Sequence, residues 1–155
     1  MLPRDLLKSA EDLISSANGK PRQANLLRAT STIYYALFHT LARCCADVLI
    51  GGASSERSKY AWKQAYRALE HGLSKKCCQH PDIQKFPQEI QDFADMFVTM
   101  QEKRHRADYD PDEKNYKSSV LVDLKSVEKV VSDFSSAPLK DRRAFAAFVI
   151  LKRRV

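Results

Sequence analysis

Glycine and proline are scarce in this sequence, whose 155 residues include only 4 glycines and 6 prolines. Because these residues punctuate regular structure, their scarcity indicates long helices joined by short loops. Long apolar runs are also missing: the longest run of apolar residues, 144–151, is too short to cross a bilayer. The first residues lack the apolar core of a signal peptide. We therefore expect a cytoplasmic protein with no membrane partner.

Cysteine is present only as two adjacent pairs, at 44–45 and 77–78, without a CxxC pattern. Neighbouring residues of a helix point about 100° apart, so neither pair suits a shared metal ion. We therefore predict no metal site and no cofactor, and we interpret the cysteines as reduced thiols buried in the core.

Acidic residues are outnumbered, 19 against 26 lysines and arginines, which gives a net charge of +7. The excess is uneven. Residues 20–80 hold ten bases and three acids, whereas residues 81–137 hold eight bases and twelve acids. Such a surface permits a phosphate-bearing partner such as RNA or a nucleotide. A basic soluble protein without such a partner is the alternative.

Apolar periodicity predicts an all-α fold, an up-and-down bundle of four to five main helices with an extra C-terminal helix. At this length one domain over residues 1–155 is expected. The predicted helices cover residues 5–17, 22–50, 56–73, 116–135 and 139–153, with a loop at 74–86. A fourth helix, between 56–73 and 116–135, is predicted to begin near Pro87 and to end in the charged stretch 102–111. The second helix is apolar on two sides, so it should lie at the centre. The basic and apolar segment 138–155 fits packing on the bundle, docking to a partner, or a membrane surface.

The third predicted helix carries a basic ridge of Lys59, Lys63 and Arg67. A solvated face and a contact with the RNA backbone both fit this ridge. The apolar side of the helix is predicted to include Tyr60 and Leu69, with two larger anchors, Trp62 and Tyr66.

A polar line interrupts the second helix. It consists of Arg28, Thr32, Tyr35, His39 and Arg43, which recur every three or four residues and therefore stack along one side of the helix. The line fits an ordinary solvent-facing stripe, since arginine needs water or a partner. It also fits the lining of an interface or groove.

A charged cluster ends the fourth helix. Continuing its apolar stripe by one and two turns reaches Arg104 and Asp108, after which Pro111 stops the helix. Such a pair is either a structural ion pair or part of a site. The stripe itself consists of Ile90, Phe93, Phe97 and Met100.

Two stretches together resemble the HEPN family (higher eukaryote and prokaryote nucleotide-binding domains). The first is RATSTIYYALFH at 28–39, which is similar to the second helix of that family. The other is RHRADY at 104–109, which is similar to the arginine-plus-polar signature at the end of the third main helix, in its Ala-Asp-Tyr variant. The resemblance covers roughly residues 5–135.

This resemblance implies an all-α homodimer in which Arg104 of both copies faces one cleft. Many members of the family are metal-independent ribonucleases, and others pair with nucleotidyltransferases in toxin–antitoxin systems. On this basis Arg104 and His105 are the candidate catalytic residues. The candidate residues for binding RNA or a nucleotide are Arg106, Asp108, Tyr109, Arg28, Tyr35 and His39.

The family signature places a histidine five positions after its arginine, where this sequence has Tyr109. A phenol is a poor general base at neutral pH, which favours binding of RNA or a nucleotide without cleavage. The alternative is an active endoribonuclease toxin, in which Arg104 stabilises the charged transition state and His105 transfers protons. A non-catalytic interaction module that docks a partner through its last helix is a third hypothesis.

Overall fold

The protein is described by a computed structural model that covers residues 1–15 and 19–154. All regular structure in these residues is helical, so the predicted all-α bundle is confirmed. The α-helices are α1 (Pro3–Ser15), α2 (Gln23–Leu49), α3 (Lys59–Arg67), α4 (His71–Cys78), α5 (Gln88–Tyr109), α6 (Lys117–Ser135) and α7 (Leu139–Ile150), and a 3-10 helix spans Pro81–Lys85.

Helix α2 is the central element and contacts α1, α3, α5, α6 and α7. One of its predicted apolar sides, formed by Ile33, Leu37 and Leu41, has no exposed surface. On the other side Tyr34 and Cys45 are buried, whereas Leu27, Ser31, Phe38 and Leu49 are half-buried. A helix covered on two sides is held firmly, because packing on each face opposes its movement.

Helix α5 packs its predicted stripe against α2 and α6. All four residues of that stripe are fully buried. Phe93 stacks on Phe134 of α6, with ring centroids 4.3 Å apart and planes 25° apart. After the stripe, the helix ends at Tyr109, just before Pro111, as predicted. The charged cluster therefore sits where the core meets the surface.

The C-terminal helix α7 packs on its own bundle, in contact with α2 and α4. Phe145, Ala146 and Val149 are buried there. This contact occupies the apolar face that the sequence left open to a partner or a membrane surface. The helix ends at Ile150 rather than at the predicted residue 153, because the residues that follow are exposed and no burial holds them in helical form.

The predicted helix 56–73 and the predicted loop 74–86 are both wrong. The first helix starts later than predicted: Ser58 caps α3, with its hydroxyl accepting a hydrogen bond of 3.1 Å from the Ala61 amide. After α3 the chain breaks, Leu69 turns into the core, and α4 begins. Helix α4 has only eight residues and buries only two of them, Ser74 and Cys78, so its apolar pattern was too short to detect.

Helix α3 lies on the surface and buries none of its residues. Tyr60, predicted on its apolar side, is instead 82% exposed. Trp62 and Tyr66 are partly buried and hold α3 to α2. The helix is therefore attached through two aromatic anchors rather than through a continuous apolar stripe.

The four cysteines are free thiols, as predicted. Cys45 and Cys78 are buried, and their neighbours are half-buried. Burial raises the pKa of Cys44 to about 11, so this thiol is protonated at neutral pH and a poor nucleophile.

Two further expectations concern the ends of the chain and the membrane. Helix α1 begins two residues before the predicted start, and positions 16 and 17 of its predicted range lie outside the described residues. None of the helices in residues 1–15 and 19–154 is long and apolar enough to span a bilayer.

We predict that Phe93→Ala lowers the free energy of unfolding by about 3–5 kcal/mol, because it removes a fully buried ring and leaves a cavity. Urea unfolding followed by circular dichroism measures this loss. Val122→Ala, at an exposed position of α6, is the matched control and should change stability by about 0.5 kcal/mol or less. Equal losses in both variants would contradict the position of the core.

Candidate functional site

Arg104 lies at the end of the buried stripe of α5, and only 11% of its side chain is exposed. The carbon at the centre of its guanidinium is 5.1 Å from the ring centroid of Tyr34 and 5.7 Å from that of Tyr35. Among the described residues, its buried Nε has no hydrogen-bond partner. Two aromatic faces thus stabilise a cation that retains a free donor.

Asp108 partly neutralises this cation from one turn further along α5. Its Oδ2 lies 3.5 Å from Nη1 of Arg104. The other carboxylate oxygen accepts a hydrogen bond from the Ser31 hydroxyl on α2. Asp108 is therefore oriented by residues of both α2 and α5. Within the charged cluster predicted from the sequence, Arg104 and Asp108 form an ion pair one turn apart on α5.

His71, the first residue of α4, adds a third helix to the site. Its Nδ1 shares a hydrogen bond of 2.6 Å with the Tyr34 hydroxyl. The imidazole stacks on Phe38, with ring centroids 4.0 Å apart and planes 18° apart. The side-chain amide of Gln101 donates to the carbonyl oxygen of His71 at 3.0 Å. These contacts fix the start of α4 against both α2 and α5.

Burial and the charge of Arg104 determine the protonation states of His71 and Tyr34. Burial lowers the pKa of His71, and the positive charge of Arg104 lowers it further. Burial likewise raises the pKa of Tyr34, although Arg104 opposes this effect. Both groups are therefore neutral at pH 7. The histidine can accept a proton, while Arg104 supplies the positive charge.

The structure brings three of the predicted site residues together: Arg104, Asp108 and Tyr35. His39 follows Tyr35 on α2, with ring centroids 6.4 Å apart, and its Nδ1 is hydrogen bonded to the Tyr66 hydroxyl of α3. The middle of the predicted polar line is therefore covered in part by α3 and α4 rather than by solvent alone.

The remaining predicted residues lie elsewhere. Arg28 is exposed near the start of α2. The His105 and Tyr109 rings contact each other, with centroids 4.9 Å apart, and both residues are exposed. Arg106 pairs with Glu113 at 3.5 Å. Positions 105, 106 and 109 thus point away from the helix face that carries Arg104, as the helical rotation between neighbours requires.

His105 and Arg106 line a shallow surface groove of about 310 Å³. The other residues lining it are Lys75, Gln101 and Glu102. Lys75 and Glu102 pair across the groove at 3.3 Å. Most charged groups of this groove are therefore already matched, whereas the Arg104 site retains an unpartnered donor.

His71 and Ser31 are not among the site residues predicted from the sequence. Helical spacing could have indicated Ser31, because it lies within the stretch 28–39, one turn before Tyr35. His71 carries no such signal, because its place beside Arg104 depends on the break between α3 and α4.

No protein-family model matches the chain, and comparison with curated proteins and with solved structures gives no significant match. Within the described residues, no cluster of three or more His, Cys, Asp or Glu side chains is arranged to hold a metal ion.

We predict that Arg104→Gln raises the pKa of His71 toward its ordinary value of about 6.5, because the variant removes a neighbouring positive charge. In the wild type the lowered pKa means that folding opposes protonation. The contribution of His71 to stability is therefore complete above about pH 6.5 and is lost as the pH falls. NMR titration of the imidazole protons measures both midpoints.

His39 provides an internal control for this titration. Burial lowers its pKa as well, with Arg43 acting in the same direction, and Arg104 is not among the causes. The His39 midpoint should move much less than that of His71 in the variant. An unchanged His71 midpoint would show that Arg104 does not act on this imidazole.

Proposed function

We propose that this chain is a HEPN-like protein that binds RNA or a nucleotide through Arg104 and acts as a homodimer. The observation that carries the proposal is the nearly buried guanidinium above two tyrosine rings, with one donor unpartnered. An arginine held in this way suits an anion that approaches from the partly open side.

A phosphate group fits the donors of Arg104. The guanidinium presents its N–H groups in a planar fork that matches two phosphate oxygens. Without a ligand, Asp108 occupies part of this fork at 3.5 Å, a distance longer than that of a strong charged hydrogen bond. A phosphate therefore competes with a weak internal partner. Tyr35, which is partly exposed beside Arg104, offers a ring face for a nucleobase.

Two exposed tyrosines support the dimer. Tyr109 and Tyr116 flank the end of α5 and are 68% and 70% exposed. Tyrosine is enriched in protein interfaces because its ring is apolar and its hydroxyl is polar. A second copy seated on these rings would cover the end of α5, the helix that also carries Arg104. A nucleotidyltransferase or antitoxin partner is supported by the family resemblance alone.

We predict that Arg104→Gln weakens binding of a fluorescein-labelled RNA oligonucleotide by about tenfold or more, because it removes a charge-assisted contact with phosphate. Fluorescence anisotropy measures the affinity. Titration at several salt concentrations should show that wild-type binding weakens as salt rises.

Arg4→Gln is the matched control, since it removes the same charge from an exposed position on α1. Its affinity should stay close to that of the wild type. If both variants lose affinity equally, the effect comes from net charge and not from the site. Absence of RNA and nucleotide binding at low salt would reject the proposed function.

A second candidate, metal-independent RNA cleavage, is favoured by the position of His71. This neutral imidazole is hydrogen bonded to Tyr34, which lies under Arg104, so a proton acceptor and a cation share one site. His105 lies in the other groove and is less well placed for this chemistry. In this reaction His71 takes the proton of the ribose 2′-OH, and the 2′-oxygen bonds to phosphorus as the P–O5′ bond breaks. The protonated imidazole then returns the proton to the leaving 5′-oxygen, while Arg104 stabilises the negative charge on the phosphate oxygens.

We predict for this second candidate that His71→Gln lowers cleavage in the presence of a chelator by about 10²-fold, whereas His105→Gln leaves the rate nearly unchanged. A labelled RNA and gel separation measure the rate. Loss of activity in His105→Gln alone would instead assign proton transfer to His105. No cleavage by the wild type would leave binding without catalysis.

A further inference from the structure

Four aromatic rings form a continuous line that leads from α3 to Arg104. We call them the ring row: Trp62 and Tyr66 of α3, followed by His39 and Tyr35 of α2. Neighbouring ring centroids are 5.3, 5.8 and 6.4 Å apart. The planes of the same pairs differ by 31°, 32° and 39°, so each ring is tilted against the next. The guanidinium of Arg104 continues it, 5.7 Å from Tyr35.

Hydrogen bonds hold the ring row in place. His39 Nδ1 is hydrogen bonded to the Tyr66 hydroxyl, which ties α2 to α3 in the middle of the row. At its far end, Trp62 Nε1 donates to the Asp47 carboxylate at 2.8 Å. The rings are therefore fixed before any ligand arrives, which lowers the entropy cost of binding.

The ring row also reaches the surface. All four rings are partly exposed, and α3, which supplies two of them, buries none of its residues. An aromatic cluster that served only as core would be closed to solvent, as the rings of Phe93 and Phe134 are. The ring row instead leaves aromatic surface open beside a cation.

Arginines stand at both ends of the ring row. At the Trp62 end, Arg57 lies 4.8 Å from the ring centroid and is paired with Asp47 at 3.1 Å. Arg104 lies beside Tyr35, and Arg43 lies 5.6 Å from the centroid of Trp62. In the described part of the chain, these two arginines share an unusual property: the Nε atom of each is buried and lacks a hydrogen-bond partner. Buried donors without partners are rare in folded proteins, so these two arginines retain hydrogen-bonding capacity that the fold itself does not use.

We infer that the ring row binds a short single strand of RNA, with bases stacked along the rings and phosphates held by Arg104 and Arg43. Stacking platforms between cations are the usual way to bind single strands without reading their sequence, because every base has an aromatic face. This inference rests on the proposed function and adds to it the substrate class, a strand of several nucleotides rather than one nucleotide.

Trp62 is the only tryptophan of the chain, so its fluorescence reports directly on the ring row. The probes are uridine monophosphate and a 2′-O-methyl oligouridylate hexamer, which has no 2′-OH to support cleavage. We expect the hexamer to quench Trp62 emission in a saturable manner and to bind at least tenfold more tightly than the monophosphate. Unchanged Trp62 emission on hexamer binding would overturn the inference.

Variants of Tyr66 separate stacking from folding. Tyr66→Leu should weaken hexamer binding on the order of tenfold, whereas Tyr66→Phe keeps the ring and should restore most of the affinity. Tyr60→Leu is the control, because Tyr60 is an exposed aromatic of the same helix outside the ring row. Circular dichroism confirms that each variant is folded. Equal binding by Tyr66→Leu and the wild type would also overturn the inference.

The outcomes distinguish this inference from the proposed function. If both probes bind with equal strength and both lose affinity in Arg104→Gln, the ring row plays no part but the proposed function holds. If neither probe binds the wild type at low salt, both ideas are wrong.

Discussion

The positive charge of Arg104 is the feature around which the end of the bundle is arranged. A guanidinium taken out of water costs several kcal/mol unless its surroundings compensate for it. Here the compensation comes from two tyrosine rings and one carboxylate, drawn from α2 and α5. The same charge helps keep His71 neutral, since it lowers the pKa of that imidazole. The neighbours of Arg104 thus stabilise its charge as well as pack against its side chain.

This arrangement needs rigid helices, and α2 is the buried helix against which the others are positioned. It is buried on two sides and carries Tyr34, Tyr35 and Ser31 to Arg104 and its partner Asp108. The segment after α5 is tied to α2 as well. Asn115 exchanges backbone hydrogen bonds with the Gln23 side chain at 2.8 and 2.9 Å. These contacts hold the end of α5 in register with α2, which keeps the ion pair of Arg104 and Asp108 in position.

The distribution of charge fits a ligand that enters from the α3 side. The segment 20–80, which supplies the ring row and α3, holds ten bases and three acids. The acids of residues 81–137 include Asp123 and Glu113, which are paired with Lys103 and Arg106 at 2.8 and 3.5 Å. The exposed Lys59, Lys63 and Arg67 of α3 add positive charge on the helix that carries Trp62 and Tyr66, and this charge attracts phosphate.

Local sequence patterns predicted much of this structure. The stripe of α5, the apolar side of α2 with Ile33, Leu37 and Leu41, and the stop before Pro111 all depend on residues within a few turns of one another, and these three predictions are confirmed. The other predicted apolar side of α2 is buried only in part. The inward direction of Arg104 also followed from helical spacing. Apolar periodicity did not predict the bounds of α3 and α4, because short surface helices bury too few residues to show a helical period.

What only the tertiary structure decided is which distant residues meet. His71 reaches Tyr34 because the chain breaks after α3, and Tyr66 reaches His39 because α3 folds back on α2. Helical rotation already separates Arg104 from His105. Only the packing of the other helices decides that Arg104 is nearly buried and that His105 lines a surface groove. Spacing along a helix is local and can be read from the sequence, whereas the contacts between helices depend on how all of them pack.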